Sequence, residues 1–262
     1  MTEYPTALGA STRDTITLLG RDLARDVMGE VGFGELAFWL ATQRRPSKGE
    51  TRVFEAVLAA LADHGFTPTA ITARLTYLSA PDSVQGALAA GLLGGGSRFL
   101  GVTEDCGRFL HEQLDGRQLP ADDDGWDAIA LDVVTAQRAA KRFIPGLGHH
   151  VHKDVDPRTP RLYTIAREEG LEGPHLKLFA AIGRVHPQVL GKTLPLNGAG
   201  VCGAALADLE LPMALLRGFA LLARTAGLIG QLAEEIRNPV ANEIFLSVDL
   251  NNVSVPPGGT HG

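Results

Sequence analysis

The side chains best suited to chemistry lie together in one segment, residues 146–158, which reads GLGHHVHKDVDPR. Its two glycines allow the backbone to approach a ligand closely. Its three histidines can exchange protons near neutral pH. The arginine at its end offers a rigid, two-pronged grip on a carboxylate. The segment therefore combines a flexible turn, proton carriers and a group that binds carboxylates.

Two other interpretations of this segment stay open from the residues alone. A glycine-rich stretch with histidines is also typical of a plain surface loop. A metal site is the second alternative, and the possible ligands are His149, His150, His152, Asp154 and Asp156. Ligands this close in one loop rarely converge on one ion, and no His-Glu-x-x-His helix accompanies them. We therefore expect no metal site.

Three cationic residues outside this segment are further candidates for a functional role. His64 follows a predicted helix, and a positive charge is favoured at a helix C-terminus; it could equally be an ordinary helix-end histidine. Arg217 and Arg224 are seven residues apart, so they fall on one face of a predicted helix. On an exposed face they would form a solvated stripe, whereas in a buried position each would need an anion.

Composition narrows the class of protein. The chain has 262 residues, of which 45% are hydrophobic and 21% are charged, as in a folded protein with one large domain or two smaller ones. Its net charge is -6 and its basic residues are dispersed, so we expect no nucleic-acid partner. Cys106 and Cys202 are too few for a disulfide scaffold, and they are interpreted as buried apolar residues in a reducing compartment.

The chain shows no sign of export or membrane insertion. Residues 1–10 lack the basic start and apolar run of a secretory signal. The most apolar long window, 213–233, is interrupted by Arg217 and Arg224, which argues against a membrane span. We expect a cytoplasmic protein without a membrane partner.

The hydrophobic spacing predicts a mostly α-helical chain. Ser47 and Glu50 have the spacing of a capping box, which opens a helix over 52–63, and Gly65 is a plausible stop. The other predicted helices cover 81–93, 126–143, 158–169, 174–185 and 213–236, and the small apolar stretch 200–209 suits close helix packing. Only 15–19 is predicted to be extended. We expect a solvated loop at 122–125 and a loose tail at 248–262.

Several short motifs, taken in order, resemble the citrate synthase superfamily. After the entry region at 16–23 and 33–40 they are ADHG at 62–65, GLL at 91–93, GSRF at 96–99, GLGH at 146–149, DPR at 156–158, LN at 196–197 and ARTAG at 223–227. Their order and spacing hold over about residues 15–237. ADHG and GSRF are more similar to the citryl-CoA lyase branch, which includes stand-alone lyases and a module of ATP-citrate lyases. Citrate synthases usually have a histidine where Phe99 stands.

The resemblance implies an all-α fold with two lobes. The large helical domain would comprise residues 1–100 and 211–262, and a small helical domain, 101–210, would be inserted in it. The family's active site lies between lobes whose closure excludes water. The resemblance also implies a homodimer.

The resemblance assigns roles to nine residues. The catalytic residues would be His149, which contacts the hydroxyl or carbonyl oxygen and moves a proton, and His64, which hydrogen-bonds the oxaloacetate-like part of the substrate. The substrate-binding residues would be Arg158, Arg224, Phe99 and Asn197, with the two arginines holding carboxylates. The coenzyme A-binding residues would be Gly146, Gly148 and Lys153. The implied ligands are an acyl-CoA ester as substrate and a di- or tricarboxylate, with no further cofactor.

The chain departs from the family pattern at three positions. Ala199 stands where the family has its catalytic aspartate, His150 where arginine is usual, and His152 where tyrosine or a similar residue is usual. A positioned acid or base contributes about 10²–10⁴-fold in rate, which corresponds to roughly 3–5 kcal/mol of barrier. Ala199 cannot supply this, and His150, His152 and Asp105 are the candidates to replace it.

The implied activity is a carbon–carbon lyase of the citryl-CoA type. Such an enzyme cleaves a 3-hydroxy-3-carboxyacyl-CoA into an acyl-CoA and a 2-oxo acid such as oxaloacetate. One alternative is a citrate synthase-like acyltransferase, although Phe99 and Ala199 both weigh against it. The other alternative is a non-catalytic acyl-CoA-binding homologue that has lost its acid–base group at Ala199.

Overall fold

The chain is mostly helical in the computed structural model, which describes residues 2–255 and 257. The α-helices are α1 (Phe33–Thr42), α2 (Lys48–Ala62), α3 (Pro68–Ser79), α4 (Val84–Leu93), α5 (Val102–Leu114), α6 (Asp123–Ala139), α7 (Arg158–Glu168), α8 (Pro174–Leu190), α9 (Gly198–Asp208), α10 (Leu216–Arg237) and α11 (Ala241–Asp249). A π-helical turn at Leu23–Val27 and a 3-10 turn at Met213–Leu215 complete the helical segments. The predicted helical class is confirmed.

A small antiparallel sheet precedes the helices. Its strands β1 (Gly9–Ser11), β2 (Ile16–Leu18) and β3 (Arg21–Asp22) pair in chain order, with Gly9 opposite Leu18 and Leu18 opposite Arg21. The extended segment predicted at 15–19 corresponds to β2. Strands of two or three residues are too short to show an alternating pattern, so β1 and β3 were not predicted.

The chain divides into two compact units by the density of internal contacts. The first unit comprises Met1–Leu61 and Leu100–Ala220, and the second comprises Ala62–Phe99 and Leu221–Gly262. The domain division predicted from the resemblance, with a small domain at 101–210, stays a prediction.

The first unit is organised around α9, whose residues are almost all buried. Helix α9 approaches α5 closely because both have glycines at the contact. A Cβ added to Gly203 would lie 2.1 Å from the carbonyl oxygen of Thr103, and one added to Gly107 would lie 3.0 Å from the carbonyl oxygen of Gly203. The predicted close packing of the small apolar stretch 200–209 is therefore confirmed.

Both cysteines lie in these packed helices. Cys106 of α5 and Cys202 of α9 are free thiols with no exposed surface. Burial raises the pKa of the Cys202 thiol to about 12 and raises the pKa of Cys106 as well. The two residues act as small apolar core residues, as predicted.

The second unit has an alanine- and leucine-rich core with buried charged residues beside it. Ala70, Ala73, Ala87, Leu228 and Leu232 form its centre. The side chain of Arg74 is fully buried beside them, and its guanidinium donates to three polar side chains, those of Gln231 and Glu235 at 2.8 Å each and that of Glu234. These hydrogen bonds compensate the cost of removing the guanidinium from water.

The capping box predicted before α2 is confirmed, and the glycine predicted to end this helix has the expected backbone conformation. Ser47 and Glu50 form the predicted capping box, since the backbone N–H of Glu50 donates to Ser47 Oγ at 3.1 Å and that of Ser47 donates to Glu50 Oε2 at 2.7 Å. Gly65 has a φ of +72°, as expected for a glycine that ends a helix. Helix α3 was not predicted, although Thr67 caps it and Pro68 occupies its first turn.

The prediction of a solvated loop at 122–125 was wrong. Asp122 is the N-cap of α6, and its Oδ1 accepts the N–H of Gly125 at 2.9 Å. Asp123 and Asp124 occupy the first turn of the same helix, where negative charge is favourable. The run of acidic residues is therefore a helix start.

The prediction of a loose tail at 248–262 was partly wrong. Helix α11 continues to Asp249, so its last two residues belong to a regular element. Residues 250–255 have no regular structure, and Pro256 with 258–262 lie outside the described residues.

Among the described residues, one helical stretch, 213–237, is long and apolar enough to cross a membrane, with a mean hydropathy of 1.4. A core helix of a folded domain passes the same test. The buried side chains of this stretch include Arg224, Gln231 and Glu235. Such polar residues on the covered face are typical of a core helix.

The contact between α10 and the end of α2 predicts a large effect of one added methyl group. A Cβ at Gly227 would lie 1.8 Å from the carbonyl oxygen of Ala62. We therefore expect Gly227→Ala to lower the free energy of unfolding by at least about 2 kcal/mol. Gly230 lies in the same helix with nothing within 4 Å of its added Cβ, so Gly230→Ala should instead raise it by up to about 1 kcal/mol. Urea unfolding of both variants checks this, and equal effects would contradict the proposed contact.

Candidate active site

The glycine–histidine segment connects α6 to α7 in the first unit and pairs with the residues that lead into α9. Gly148 donates its N–H to the carbonyl of Pro195 at 2.7 Å, and Asn197 donates its N–H to the carbonyl of Gly146 at 2.8 Å. Leu147 and Leu196 face each other between these bonds. The side-chain amide of Asn197 adds a 2.8 Å bond to the carbonyl of Gly148. The histidines are thereby held near the start of α9.

The two glycines of the segment have positive φ angles, +84° at Gly146 and +94° at Gly148, which favour glycine. Gly146 is also required by packing, since an added Cβ would lie 2.9 Å from the Cα of Gly200 and 2.8 Å from the ring of Phe179. Packing and backbone conformation thus explain Gly146 without any ligand. The predicted contact of both glycines with coenzyme A stays a prediction.

A buried carboxylate orients Arg158. Asp156 has no exposed surface, and it accepts hydrogen bonds from Arg158 Nε at 3.0 Å, from Arg158 Nη2 at 2.7 Å and from the N–H of Gly198 at 2.7 Å. Arg158 Nη1 donates to the carbonyl of Ala60 at 3.2 Å. Gly198 allows this arrangement, because an added Cβ there would lie 2.2 Å from Arg158 Nε. The plane of the guanidinium is therefore fixed by the protein itself.

The hydrogen bonds around Asp156 keep it charged. Burial alone would raise the pKa of this carboxyl, but the bonds from Arg158 and from the N–H of Gly198 outweigh burial and hold the pKa well below its usual range. Gly198 is the first residue of α9, so the carboxylate also lies at a helix N-terminus, where negative charge is favoured. In the sequence, Asp156 was noted as a possible metal ligand and as part of the DPR motif, but its role in orienting Arg158 was not predicted.

His149 is held as a neutral ring with a defined tautomer. Its Nδ1 accepts the N–H groups of Val151 at 3.1 Å and of His152 at 2.9 Å. A ring nitrogen that accepts these bonds carries no proton, so in the neutral ring the proton is on Nε2. Burial lowers the pKa of His149 to about 4, and the neighbouring His150 adds to this shift. At neutral pH, His149 therefore presents an N–H donor through Nε2.

The two histidines that depart from the family pattern flank His149. The ring centroids of His150 and His152 lie 4.5 Å and 4.6 Å from that of His149. His150 is exposed, whereas His152 is half-buried. The ammonium of Lys153 donates to the carbonyls of His149 at 3.3 Å and His150 at 2.9 Å. The structure therefore gathers these four side chains around one turn.

The other residues considered for proton transfer have different surroundings. Ala199 is half-buried at the second position of α9. Asp105 lies 3.4 Å from the guanidinium of Arg217, which also contacts Glu104 at 3.0 Å. This ion pair engages the carboxylate of Asp105. The candidates to replace the family's aspartate, which are His150, His152 and Asp105, stay predictions.

In the second unit, Asp63 links His64 to Arg224. Its Oδ2 accepts the N–H of Gly65 at 2.8 Å, which shapes the turn that contains His64. Its Oδ1 accepts the side-chain amide of Gln231 at 2.9 Å and lies 3.6 Å from Arg224 Nη1. The side chain of Arg224 is 6% exposed, so the buried alternative for this arginine is the correct one. Asp63 was not predicted as a site residue, although it precedes His64 directly in the ADHG motif.

The predicted site residues are thus distributed over both units. The first unit contains Gly146, Gly148, His149, Lys153, Arg158 and Asn197, and the second contains His64, Phe99 and Arg224. Phe99 is half-buried in the turn between α4 and α5. The roles of these nine residues stay predictions.

Comparisons with known proteins agree on a family. The profile described as "Citrate synthase, C-terminal domain" matches residues 9–245. The structure of citryl-CoA lyase from Hydrogenobacter thermophilus is similar with a TM-score of 0.83 and 29% identity, covering 98% of this chain and 97% of that one. ATP citrate lyase from Methanothrix soehngenii, solved with citrate and coenzyme A, has a TM-score of 0.78 and 22% identity, covering 90% of this chain and 39% of that one. The fold implied by the resemblance is confirmed.

The chain is also similar in sequence to curated proteins. ATP-citrate synthase beta chain protein 1 of Oryza sativa subsp. japonica is 24% identical over 222 residues, which cover 79% of this chain. The matched region is 35% of that protein, so the chain spans about a third of the length of the curated relatives it matches.

The Asp156 arrangement predicts a stability defect with a defined pH dependence. Asp156→Asn leaves Arg158 without its anion, so we expect it to lower the free energy of unfolding at pH 7 by about 3 kcal/mol. A carboxyl whose pKa is lower in the folded state stabilises the fold above its unfolded pKa and loses that contribution as the pH falls. The wild type should therefore lose it below about pH 4, whereas the variant lacks it throughout.

Urea unfolding between pH 3 and pH 7 measures this difference. Asp154→Asn is the matched control, since Asp154 is an exposed carboxyl in the same segment, and we expect a change within about 0.5 kcal/mol. An Asp156→Asn variant as stable as this control at pH 7 would contradict the role assigned to Asp156.

The hydrogen bonds to His149 predict its protonation state. In ¹⁵N-histidine NMR spectra, this ring should remain neutral with its proton on Nε2 from neutral pH down to about pH 5, because its pKa is about 4. The resonances are assigned by their disappearance in His149→Gln. Titration of His149 at its ordinary pKa, or a proton on Nδ1, would contradict the geometry described.

Proposed function

Because the chain belongs to the citrate synthase family, we propose that it is a citryl-CoA lyase-like enzyme. It cleaves a 3-hydroxy-3-carboxyacyl-CoA of the citryl-CoA type into an acyl-CoA and a 2-oxo acid such as oxaloacetate. The observation that carries this proposal is the similarity to a citryl-CoA lyase over nearly the full length of both chains. The binding of citrate and coenzyme A by a more distant structural relative supports the same classes of ligand.

Arg158 binds a carboxylate of the substrate in this proposal. A guanidinium has five N–H donors, and among the described residues Asp156 and Ala60 accept from three of its nitrogens, Nε, Nη2 and Nη1. One N–H on Nη1 and one on Nη2 therefore remain for the oxygens of a substrate carboxylate. Because Asp156 already holds the guanidinium plane, little conformational entropy is lost when the substrate binds.

His149 binds the oxygen on the carbon that becomes the carbonyl. Its Nε2–H donates to the hydroxyl oxygen of the substrate and continues to donate as that oxygen becomes a carbonyl. The two backbone N–H groups on Nδ1 stabilise this tautomer, so Nε2 is a poor acceptor for the hydroxyl proton. His149 is therefore assigned the oxygen contact, and the proton requires another base.

We assign the proton transfer to His152. The reaction moves one proton: it leaves the hydroxyl, the C–O bond becomes a carbonyl, the adjacent C–C bond breaks, and its electron pair forms the thioester enolate. The same proton then returns to the α-carbon of the enolate and gives the acyl-CoA. His152 supports both transfers because it is half-buried beside His149, whereas His150 is exposed.

The remaining roles follow the family resemblance. His64 and Arg224 bind the oxo-acid portion, with Asp63 near the guanidinium to compensate its burial. Phe99 and Asn197 contact the substrate. Gly146, Gly148 and Lys153 contact coenzyme A. We further propose that the protein is a cytoplasmic homodimer.

The second candidate is a non-catalytic acyl-CoA-binding homologue. Ala199 favours it, because a methyl group stands where the family has its catalytic aspartate. This candidate predicts that CoA esters bind without being cleaved, which calorimetry together with product analysis detects.

Incubation of the purified protein with citryl-CoA tests the proposal. We expect oxaloacetate and acetyl-CoA in equal amounts, with oxaloacetate measured by coupled reduction.

His149→Gln and His152→Gln should each lower kcat by about 10²-fold or more. His150→Gln is the matched control, and it should change kcat by less than about threefold. Arg158→Lys should mainly raise KM, because lysine lacks the two-pronged geometry.

The outcomes separate the candidates. Citryl-CoA binding without products, at high enzyme concentration, supports the binder and contradicts the lyase. Turnover of citryl-CoA by the Ala199→Asp variant tests whether the natural chain has its own proton carrier. The first turn of α9 accommodates the added negative charge. No gain in turnover agrees with His152 as the proton carrier, whereas a large gain would show that the natural chain lacks one.

A further inference from the structure

One buried histidine of the first unit is not used by the reaction proposed above. His186 lies near the end of α8, and only 1% of its surface is exposed. Burying an imidazole is costly unless its ring nitrogens are hydrogen-bonded. The bonds made by this ring therefore indicate why the core contains a histidine at this position.

The two ring nitrogens of His186 have different partners. Nε2 accepts the N–H of Leu194 at 2.9 Å, and Nδ1 lies 3.0 Å from the carbonyl oxygen of Ile182. A ring nitrogen that accepts an N–H carries no proton, so the neutral ring has its proton on Nδ1, which donates to the carbonyl. Both bonds exist together only in this tautomer. The ring thus joins α8 to the loop that follows it.

Leu194 begins the segment 194–197, which pairs with the glycines of the glycine–histidine segment. The next residue, Pro195, accepts the N–H of Gly148 at 2.7 Å. The bond from Leu194 to His186 therefore lies directly before the first bond of this pairing. It fixes the backbone at the point where the chain arrives from α8.

A second residue of α8 contacts the same segment. Gly183 is three residues before His186, so the two lie on one face of the helix. An added Cβ at Gly183 would lie 2.8 Å from Cδ1 of Leu196. On this face, a glycine makes room for a side chain of the segment and a histidine accepts one of its N–H groups. An apolar side chain at position 186 could fill the space but could not accept that N–H.

We propose that His186 is a positioning residue for His149. It acts through the backbone, since its Nε2 fixes Leu194, the carbonyl of Pro195 accepts from Gly148, and Gly148 directly precedes His149. The catalytic consequence rests on the proposed function, in which His149 contacts the substrate oxygen, whereas the geometry concerns the protein alone. A displacement of about 1 Å can lower a rate by about 10²-fold, so this remote bond affects kcat.

Two substitutions of His186 and one control test the proposal. His186→Leu removes the acceptor for the N–H of Leu194, whereas His186→Gln keeps one, because its side-chain oxygen can occupy the position of Nε2. Tyr163→Phe is the matched control, since it removes another buried hydrogen bond of the first unit, the 2.9 Å bond from the Tyr163 hydroxyl to the carbonyl of Leu176. If His186→Leu does not fold, His186→Asn takes its place, since its shorter side chain reaches only the position of Nδ1.

NMR titration measures the surroundings of His149 without any substrate. In the wild type, burial lowers the pKa of this ring to about 4. Loss of the acceptor releases the turn, so in His186→Leu we expect the pKa of His149 to rise toward its ordinary value. The amide proton of Gly148 should shift upfield as its bond to Pro195 lengthens. His186→Gln and Tyr163→Phe should match the wild type. An unchanged His149 in His186→Leu, or an equal change in Tyr163→Phe, overturns the proposal.

Turnover of citryl-CoA supplies a second measurement. His186→Leu should lower kcat about tenfold or more and change KM by less than about threefold, because Asp156 still holds Arg158. His186→Gln should restore kcat to within about threefold of the wild type, and a glutamine variant as slow as the leucine variant overturns the acceptor role. A wild-type protein without turnover contradicts the proposed function instead, and the NMR titration then decides the role of His186.

Discussion

The ion pair of the buried Asp156 with the half-buried Arg158 is the interaction on which the candidate site depends. The carboxylate joins the guanidinium to the first N–H of α9, and Gly198 leaves the space that this geometry needs. Removing either partner would leave a charge in a poorly solvated position without compensation. The same pair therefore fixes the direction of Arg158 and the end of the glycine–histidine segment relative to α9. The interaction is local, within one unit, and all of its groups belong to the protein.

Close backbone contacts make this arrangement possible. The strand-like pairing of 146–148 with 195–197 brings Gly146 against Gly200, and glycines at the contact of α5 with α9 continue the close packing along the helix. Each contact excludes a side chain at the position concerned. The abundance of small residues in this part of the chain thus reflects the density of the interior around α9, in addition to any approach of a ligand.

The sequence predicted much of the fold because its signals are local. The helical periodicity, the capping box at Ser47 and the glycine stop at Gly65 depend only on neighbouring residues. The acidic start of α6 was misjudged because a run of aspartates has the same composition in a solvated loop and at a helix N-terminus. The resemblance proposed the residues of the candidate site by type, and their roles stay predictions. The partner of Arg158, the tautomer of His149 and the contacts of Asp63 were not predicted. These depend on hydrogen bonds whose geometry only the folded chain defines.

The two buried cysteines have a practical consequence. A thiol reacts with alkylating reagents as the thiolate, and burial in α5 and α9 keeps both sulfurs protonated and out of contact with solvent. Their modification therefore requires these two helices to separate. The rate at which an alkylating reagent modifies these two cysteines in the native protein therefore measures how often its most densely packed interior opens.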